Sequence, residues 1–124
     1  MTEKTHAVPN GVIHYWMNDF QPGRAVLVFL PGLTADHRLF DKQVEAFEST
    51  YNLLAWDAPG HGKSRPFVMD FTLAQKAAWL HAILQAEGIT APVLVGQSVG
   101  GYLSQAYIQA YPCLLYTSDA ADDK

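Results

Sequence analysis

The amino-acid sequence predicts an α/β fold built on a mostly parallel sheet of five strands with three crossover helices. Three observations point there. The runs AVLVFL (25–30), YNLLAWD (51–57) and APVLV (91–95) are apolar through their centres, as strands covered on both faces are. Each run gives way to Gly, Pro or Ser, and each break is followed by apolar residues at helical spacing. The resulting order, ββ followed by three βα units, is that of parallel strands joined by crossovers.

In chain order, GVIHYWMN (11–18) is rich in β-branched and aromatic residues, and DFQPGR (19–24) supplies a turn before the next run. Together they predict an early hairpin. The residues before it, His6 among them, read as a frayed terminus. After AVLVFL, Pro31 and Gly32 end the strand, and ADHRLFDKQVEAF (35–47) puts Leu39, Phe40, Val44 and Phe47 at helical spacing with Asp36 as cap. The run YNLLAWD leads into the turn APGHGKS, then into the helical pattern TLAQKAAWLHAILQAEG with Leu73, Ala77, Leu80 and Leu84 on one stripe. Thr72 is placed to cap that helix and Gly88 to end it. From Val99, positions Leu103, Ala106, Tyr107 and Ala110 repeat at helical spacing until Pro112 stops them.

Composition narrows the function classes. At 124 residues, 49% apolar and 16% charged, the chain has the length and composition of one globular domain with a packed core. Twelve acidic against eight basic side chains give a net charge of -4 without a basic cluster, which argues against nucleic-acid or anionic-lipid partners. The longest apolar run is too short to cross a bilayer and the N-terminus has no signal-peptide core, so the expected location is the cytoplasm. The single cysteine, Cys113, has no internal disulfide partner, and no Cys/His cluster shows metal-ligand spacing. No metal and no cofactor are expected; oligomeric state leaves no mark in the sequence.

The chemistry-bearing stretch is VLVGQSVGGYLSQ (93–105). Gly96, Gln97, Ser98, Val99 and Gly100 match G-x-S-x-G between a buried strand and a helix, and that context weighs more than the string. Small residues two before and two after the serine let the backbone turn tightly, so that Ser98 Oγ projects from the carboxyl end of the strand as a nucleophile. The helix that follows aims its amide dipoles at the same place. The tetrapeptide LPGL follows the first parallel strand at the same sheet edge, where open α/β proteins place their sites. Backbone N–H groups of Leu33 and Val99 are the candidate oxyanion donors.

With LPGL, WDAPGHGKS and GQSVGG in this order, residues 11 to 112 resemble the α/β-hydrolase superfamily of Ser-His-Asp enzymes, in its N-terminal half only. Within it the similarity is to esterases, lactonases and C-C hydrolases with serine at the elbow rather than to relatives with aspartate there. The resemblance implies a small-molecule acyl or carbonyl substrate and a triad acid and histidine that follow the serine along the chain. Where the family often has His-Gly before its oxyanion residue, Pro31 and Gly32 stand here; the donor is a backbone N–H, so the exchange is tolerated.

All five histidines (His6, His14, His37, His61, His81) precede Ser98. His61 reads as part of its turn, His37 as a helix-start residue, and His14 and His81 as residues of a strand and a helix. Asp57, in D-x-P-G-H-G-x-S, reads as a turn stabiliser rather than the triad acid. Asp119, Asp122 and Asp123 lie in a polar tail with no predicted strand. That tail, CLLYTSDAADDK (113–124), resembles a translated transposase-type sequencing adapter. Residues 1–112 are therefore expected to be a truncated hydrolase domain and 113–124 a non-native tail. Truncation predicts a bare apolar edge beside the serine-bearing strand, a tendency to aggregate, and little activity without the base. Three functions fit: a serine hydrolase of esters, thioesters or related carbonyl compounds in the full-length parent; a non-catalytic ligand receptor on the same fold; and an acyltransferase.

Overall fold

The three apolar runs form the middle of the sheet in the computed structural model, which describes residues 1–32, 34–111 and 117–119. In chain order the elements are β1 (Thr2–Val8), β2 (Gly11–Met17), β3 (Val26–Leu30), a 3-10 turn (His37–Phe40), α1 (Asp41–Phe47), β4 (Asn52–Trp56), α2 (Leu73–Ala86), β5 (Pro92–Gly96), α3 (Val99–Ala110) and β6 (Thr117–Asp119). The sheet order is β1-β2-β4-β3-β5-β6. β3 pairs in parallel with both β4 and β5, and the registers Phe29↔Ala55 and Leu30↔Gly96 bring the carboxyl ends of all three strands to one edge. This is the α/β architecture read from the apolar runs, with four strands (β2 to β5) and all three helices on the expected segments or beside them; β1 and β6 add strands that the sequence reading did not place, so the sheet has six strands rather than five.

The hairpin lies earlier than the sequence predicts. β1 runs antiparallel to β2 from Thr2↔Met17 to Val8↔Gly11, and the turn between them is Pro9–Asn10. The other neighbour of β2 is β4, so DFQPGR carries the chain away from β2 rather than folding it back. His6, opposite Ile13, stands in a strand and not in a frayed end. The reason is visible in TEKTHAV: it is an edge strand exposed along most of its length, held by backbone pairing, so it carries no apolar alternation to read. Asn10 helps fix the turn by donating from Nδ2 to Val68 O (2.8 Å) and Asp70 Oδ1 (2.7 Å).

The helices follow their caps. Thr72 Oγ1 accepts from Gln75 N–H (3.1 Å) while Gln75 Oε1 accepts from Thr72 N–H (2.7 Å), a reciprocal capping box at the start of α2. Ala77, Leu80 and Leu84 are buried, joined by Ile83, whereas Leu73 in the first turn stays 43% exposed. The segment 35–47 is not one helix. Asp36 caps it as expected, accepting from Arg38 N–H (2.9 Å), but a 3-10 turn comes first and α1 only from Asp41. The change of pitch rotates the apolar face. Phe40 is buried as a result, while Leu39 and Phe47 remain exposed.

The two sheet faces are covered unequally. α2 and α3 pack Leu80, Ile83, Leu84, Leu103 and Tyr107 against Val28, Leu30, Leu54, Trp56 and Leu94. On the opposite face Phe29, Phe40, Leu53 and Ala55 form a smaller cluster beneath α1. The edge of β5, expected to be bare, is paired in parallel by β6 over Val93↔Thr117 to Val95↔Asp119. Those three residues, predicted to lie in a tail without a strand, are thus extended. A strand edge presents unpaired N–H and C=O groups and takes up an extended segment within reach.

Candidate active site

The turn from β5 into α3 is made by steric exclusion. A Cβ on Gly100 would lie 2.8 Å from the Leu30 carbonyl carbon, and one on Gly96 2.5 Å from the Gly100 carbonyl carbon. Only hydrogen fits at either place. The helix then starts without delay: Gly100 N–H donates to Gln97 O (3.0 Å) and Gly101 N–H to Ser98 O (2.8 Å).

Between the two glycines sits Ser98 with φ 58° and ψ -114°, a conformation that glycine adopts freely and a side-chain-bearing residue rarely does. Its hydroxyl does not cap α3 and makes no hydrogen bond among the described residues. Val99 opens α3, where an N–H has no intrahelical acceptor and points out of the helix end.

The loop after β3 lies directly on this turn. Gly32 N–H donates to Gln97 Oε1 at 3.0 Å, and a Cβ on Gly32 would come within 2.9 Å of Ser98 Cβ. Leu33, the other candidate oxyanion donor, lies outside the described residues. Thr34 follows with a positive φ of 64°, so the chain bends sharply there.

One strand further along the same edge, Asp57 is fully buried at the end of β4. Its Oδ1 accepts from His37 N–H (2.7 Å) and is paired with His37 Nδ1 (2.8 Å), and its Oδ2 accepts from Lys63 N–H (2.8 Å). Ser64 Oγ donates to the Asp57 carbonyl (2.7 Å) and accepts from His14 N–H (2.9 Å). These bonds agree with the turn-stabilising role read for Asp57. The same carboxylate reaches across to His37, which opens the 3-10 turn and whose ring stacks on Trp16 at 3.5 Å between centroids. Twenty positions separate Asp57 from His37, and nothing local in the sequence signals the pair.

Asp36, His37 and Asp57 bring potential ligand atoms within 4.8 Å of one another, a grouping that sequence spacing does not reveal. Both Asp57 oxygens are taken by protein N–H groups, and Asp36 is held by the Arg38 guanidinium (2.7 Å). That hydrogen bond keeps the Asp36 carboxyl below its ordinary pKa and raises that of Arg38. A cation would have to displace these bonds.

No histidine is aimed at Ser98 by the bonds found among the described residues. His14 Nδ1 meets Glu3 (2.7 Å), His37 Nδ1 meets Asp57, and His61 Nδ1 meets the Pro59 carbonyl within its own turn (3.2 Å). His81 Nδ1 meets the Tyr107 hydroxyl (3.0 Å), and partial burial pushes its pKa down.

Residues 25–114 match the model of the family described as the alpha/beta hydrolase fold. Among characterised proteins, the chain is similar to the 2-hydroxy-6-oxononadienedioate/2-hydroxy-6-oxononatrienedioate hydrolase of Burkholderia vietnamiensis, at 35% identity over 81% of this chain and 36% of that one. It is also similar to the dihydrolipoyllysine-residue acetyltransferase component of the acetoin cleaving system of Cupriavidus necator, at 33% identity over 64% of this chain and 21% of that one. The crystal structure of the enol-lactonase from Burkholderia xenovorans superposes with a TM-score of 0.82 over 93% of this chain and 45% of that one, at 22% identity. The chain thus spans well under half the length of each of these proteins.

Proposed function

The chain belongs to the alpha/beta hydrolase fold family, and from that premise we propose that its complete protein is a serine hydrolase of a small-molecule ester, thioester or related carbonyl substrate. The observation that carries this reading is Ser98 held at φ 58° between β5 and α3 with a hydroxyl that makes no hydrogen bond among the described residues. In the proposed reaction Ser98 Oγ attacks the carbonyl carbon, and the amides of Val99 and Leu33 receive the oxyanion. Each such donor is worth about 2.7–4 kcal/mol of transition-state stabilisation. A histidine base and an acid are assigned to the sequence that follows position 112 in the complete protein. This places residues 1–112 as the front of the hydrolase domain and 113–124 as a foreign tail. A cytoplasmic location completes the reading; no helix among the described residues is long and apolar enough to cross a membrane.

The test is p-nitrophenyl acetate hydrolysis by the complete protein, its Ser98→Ala variant and the 124-residue chain. Turnover is expected in the first alone, with Ser98→Ala lowered by roughly 10⁴-fold or more. Equal rates in wild type and Ser98→Ala overturn the reading, and Ser98-dependent turnover by the 124-residue chain overturns the assignment of the base. Acyl transfer is the second reading, favoured by the similarity to an acetyltransferase component. It predicts that an added alcohol or thiol acceptor captures the acyl group at the expense of hydrolysis.

A further inference from the structure

We propose that Gln97 is a positioning residue, whose side-chain carbonyl replaces its own main-chain carbonyl in the β3–β5 ladder and so fixes the loop after β3 against Ser98. This rests on the hydrolase reading above.

In a parallel pair, alternate residues of one strand donate to and accept from residues of its neighbour in a fixed slanted pattern. The last paired positions are Leu30 and Gly96, and Gln97 N–H donates to Leu30 O (3.1 Å), the bond that pattern requires. The next bond in the series would run from Gly32 N–H to the Gln97 main-chain carbonyl. That carbonyl is turned instead to Gly100 N–H, which donates to it at 3.0 Å where α3 begins, and no bond from Gly32 N–H to it is found among the described residues. The sharp turn at Ser98 therefore removes an acceptor from the ladder. Gln97 Oε1 fills the gap at 3.0 Å from Gly32 N.

Two consequences follow. Gly32 is buried, so its N–H needs this acceptor. Being spent on Gln97, the same N–H is unavailable to a substrate oxygen. The nucleophile turn and the loop facing it are tied through one side chain, at the x position of G-x-S-x-G that the motif leaves open.

The tie is read first by amide hydrogen exchange in the 124-residue chain. Gln97→Met, similar in length but lacking the carbonyl, is expected to speed Gly32 N–H exchange about tenfold or more while Val28 and Leu94 amides keep their protection. Gln97→Glu, which retains an acceptor oxygen, is expected to keep Gly32 protected. Unchanged Gly32 exchange in Gln97→Met overturns the tie. In the complete protein, Gln97→Met is expected to lower kcat about 10- to 100-fold with KM within about threefold, the pattern of an interaction felt only in the transition state. Wild-type turnover left untouched by Gln97→Met overturns the role of Gln97 alone. If the complete wild-type protein shows no Ser98-dependent turnover, the hydrolase reading falls, and with it the catalytic role of the tie.

Discussion

Two turns at the carboxyl edge of the sheet use the same small residues for opposite purposes. In the turn from β5 to α3, Gly96 and Gly100 have ordinary backbone angles and are needed because neighbouring backbone occupies the space of a Cβ. The positive φ falls on Ser98, the residue that must keep a side chain. In the turn after β4 the glycines take the unusual angles themselves, Gly60 at φ 84° and Gly62 at φ 50°. Side chains then do the holding, with the Asp57 carboxylate and the Ser64 hydroxyl bonded to the main chain. Both turns leave no room for a Cβ at their glycines, Gly62 against the Asp57 carboxylate as Gly100 against Leu30, but the first carries its strain on its reactive residue whereas the second is held by polar side chains. The first should fail when atoms are added at its glycines; the second should fail also when its polar side-chain atoms are removed.

The largest effect is expected from Gly100→Ala. The new Cβ meets the main chain of Leu30 rather than a movable side chain, so roughly 3 kcal/mol of stability should be lost, read as a lower urea midpoint. A midpoint within about 0.5 kcal/mol of wild type would show that β3 and α3 can part and that the turn is not sterically fixed. Asp57→Ala comes next. It leaves His37 N–H, His37 Nδ1 and Lys63 N–H without their acceptor, for a loss of about 2 kcal/mol, less than a fully dry site would show because His37 is half-buried. Asp57→Asn, which keeps one acceptor oxygen, should recover part of that loss in the same denaturation experiment. A full loss with Asn would mean that the negative charge, not the acceptor geometry, holds the turn.

The same contrast explains what could be read from the sequence. The G-x-S-x-G spacing is legible because the positions are fixed relative to the serine: Gly96 is required by a clash with Gly100 inside the same strand–turn–helix unit, and Gly100 by the close approach of Leu30 from the neighbouring strand β3. The three central strands were legible because both their faces are covered, leaving no polar positions to obscure the run. β1 was not, since an exposed edge strand held by backbone pairing can be written in TEKTHAV. The tie from Gln97 to Gly32 and the pair of Asp57 with His37 were hidden for another reason. Each joins residues distant in sequence, and any of several polar types would satisfy the motif around them. Capping by Asp36 and Thr72 was legible, but the break between the 3-10 turn and α1 was not, because Leu39, Phe40, Val44 and Phe47 fit an unbroken helix equally well.

The smallest effect is also the one that separates chemistry from folding. If Ser98 is held at a backbone conformation that suits glycine, then Ser98→Gly should stabilise the 124-residue chain, by about 1 kcal/mol. The sign matters more than the size. Glycine loses more chain entropy on folding than serine does, which opposes the gain, so a rise in urea midpoint appears only if relief of strain exceeds that loss. No hydrogen bond found among the described residues is sacrificed, because the hydroxyl makes none there. Ser64→Gly, in the turn after β4, removes a hydroxyl that bridges Asp57 O and His14 N–H and should destabilise in the same assay. Opposite signs for the two serines would mean that Ser98 is kept at the expense of stability, which is what a reactive group needs and a structural one does not. Equal destabilisation would remove strain from the account of the turn and leave its glycines as its only requirement.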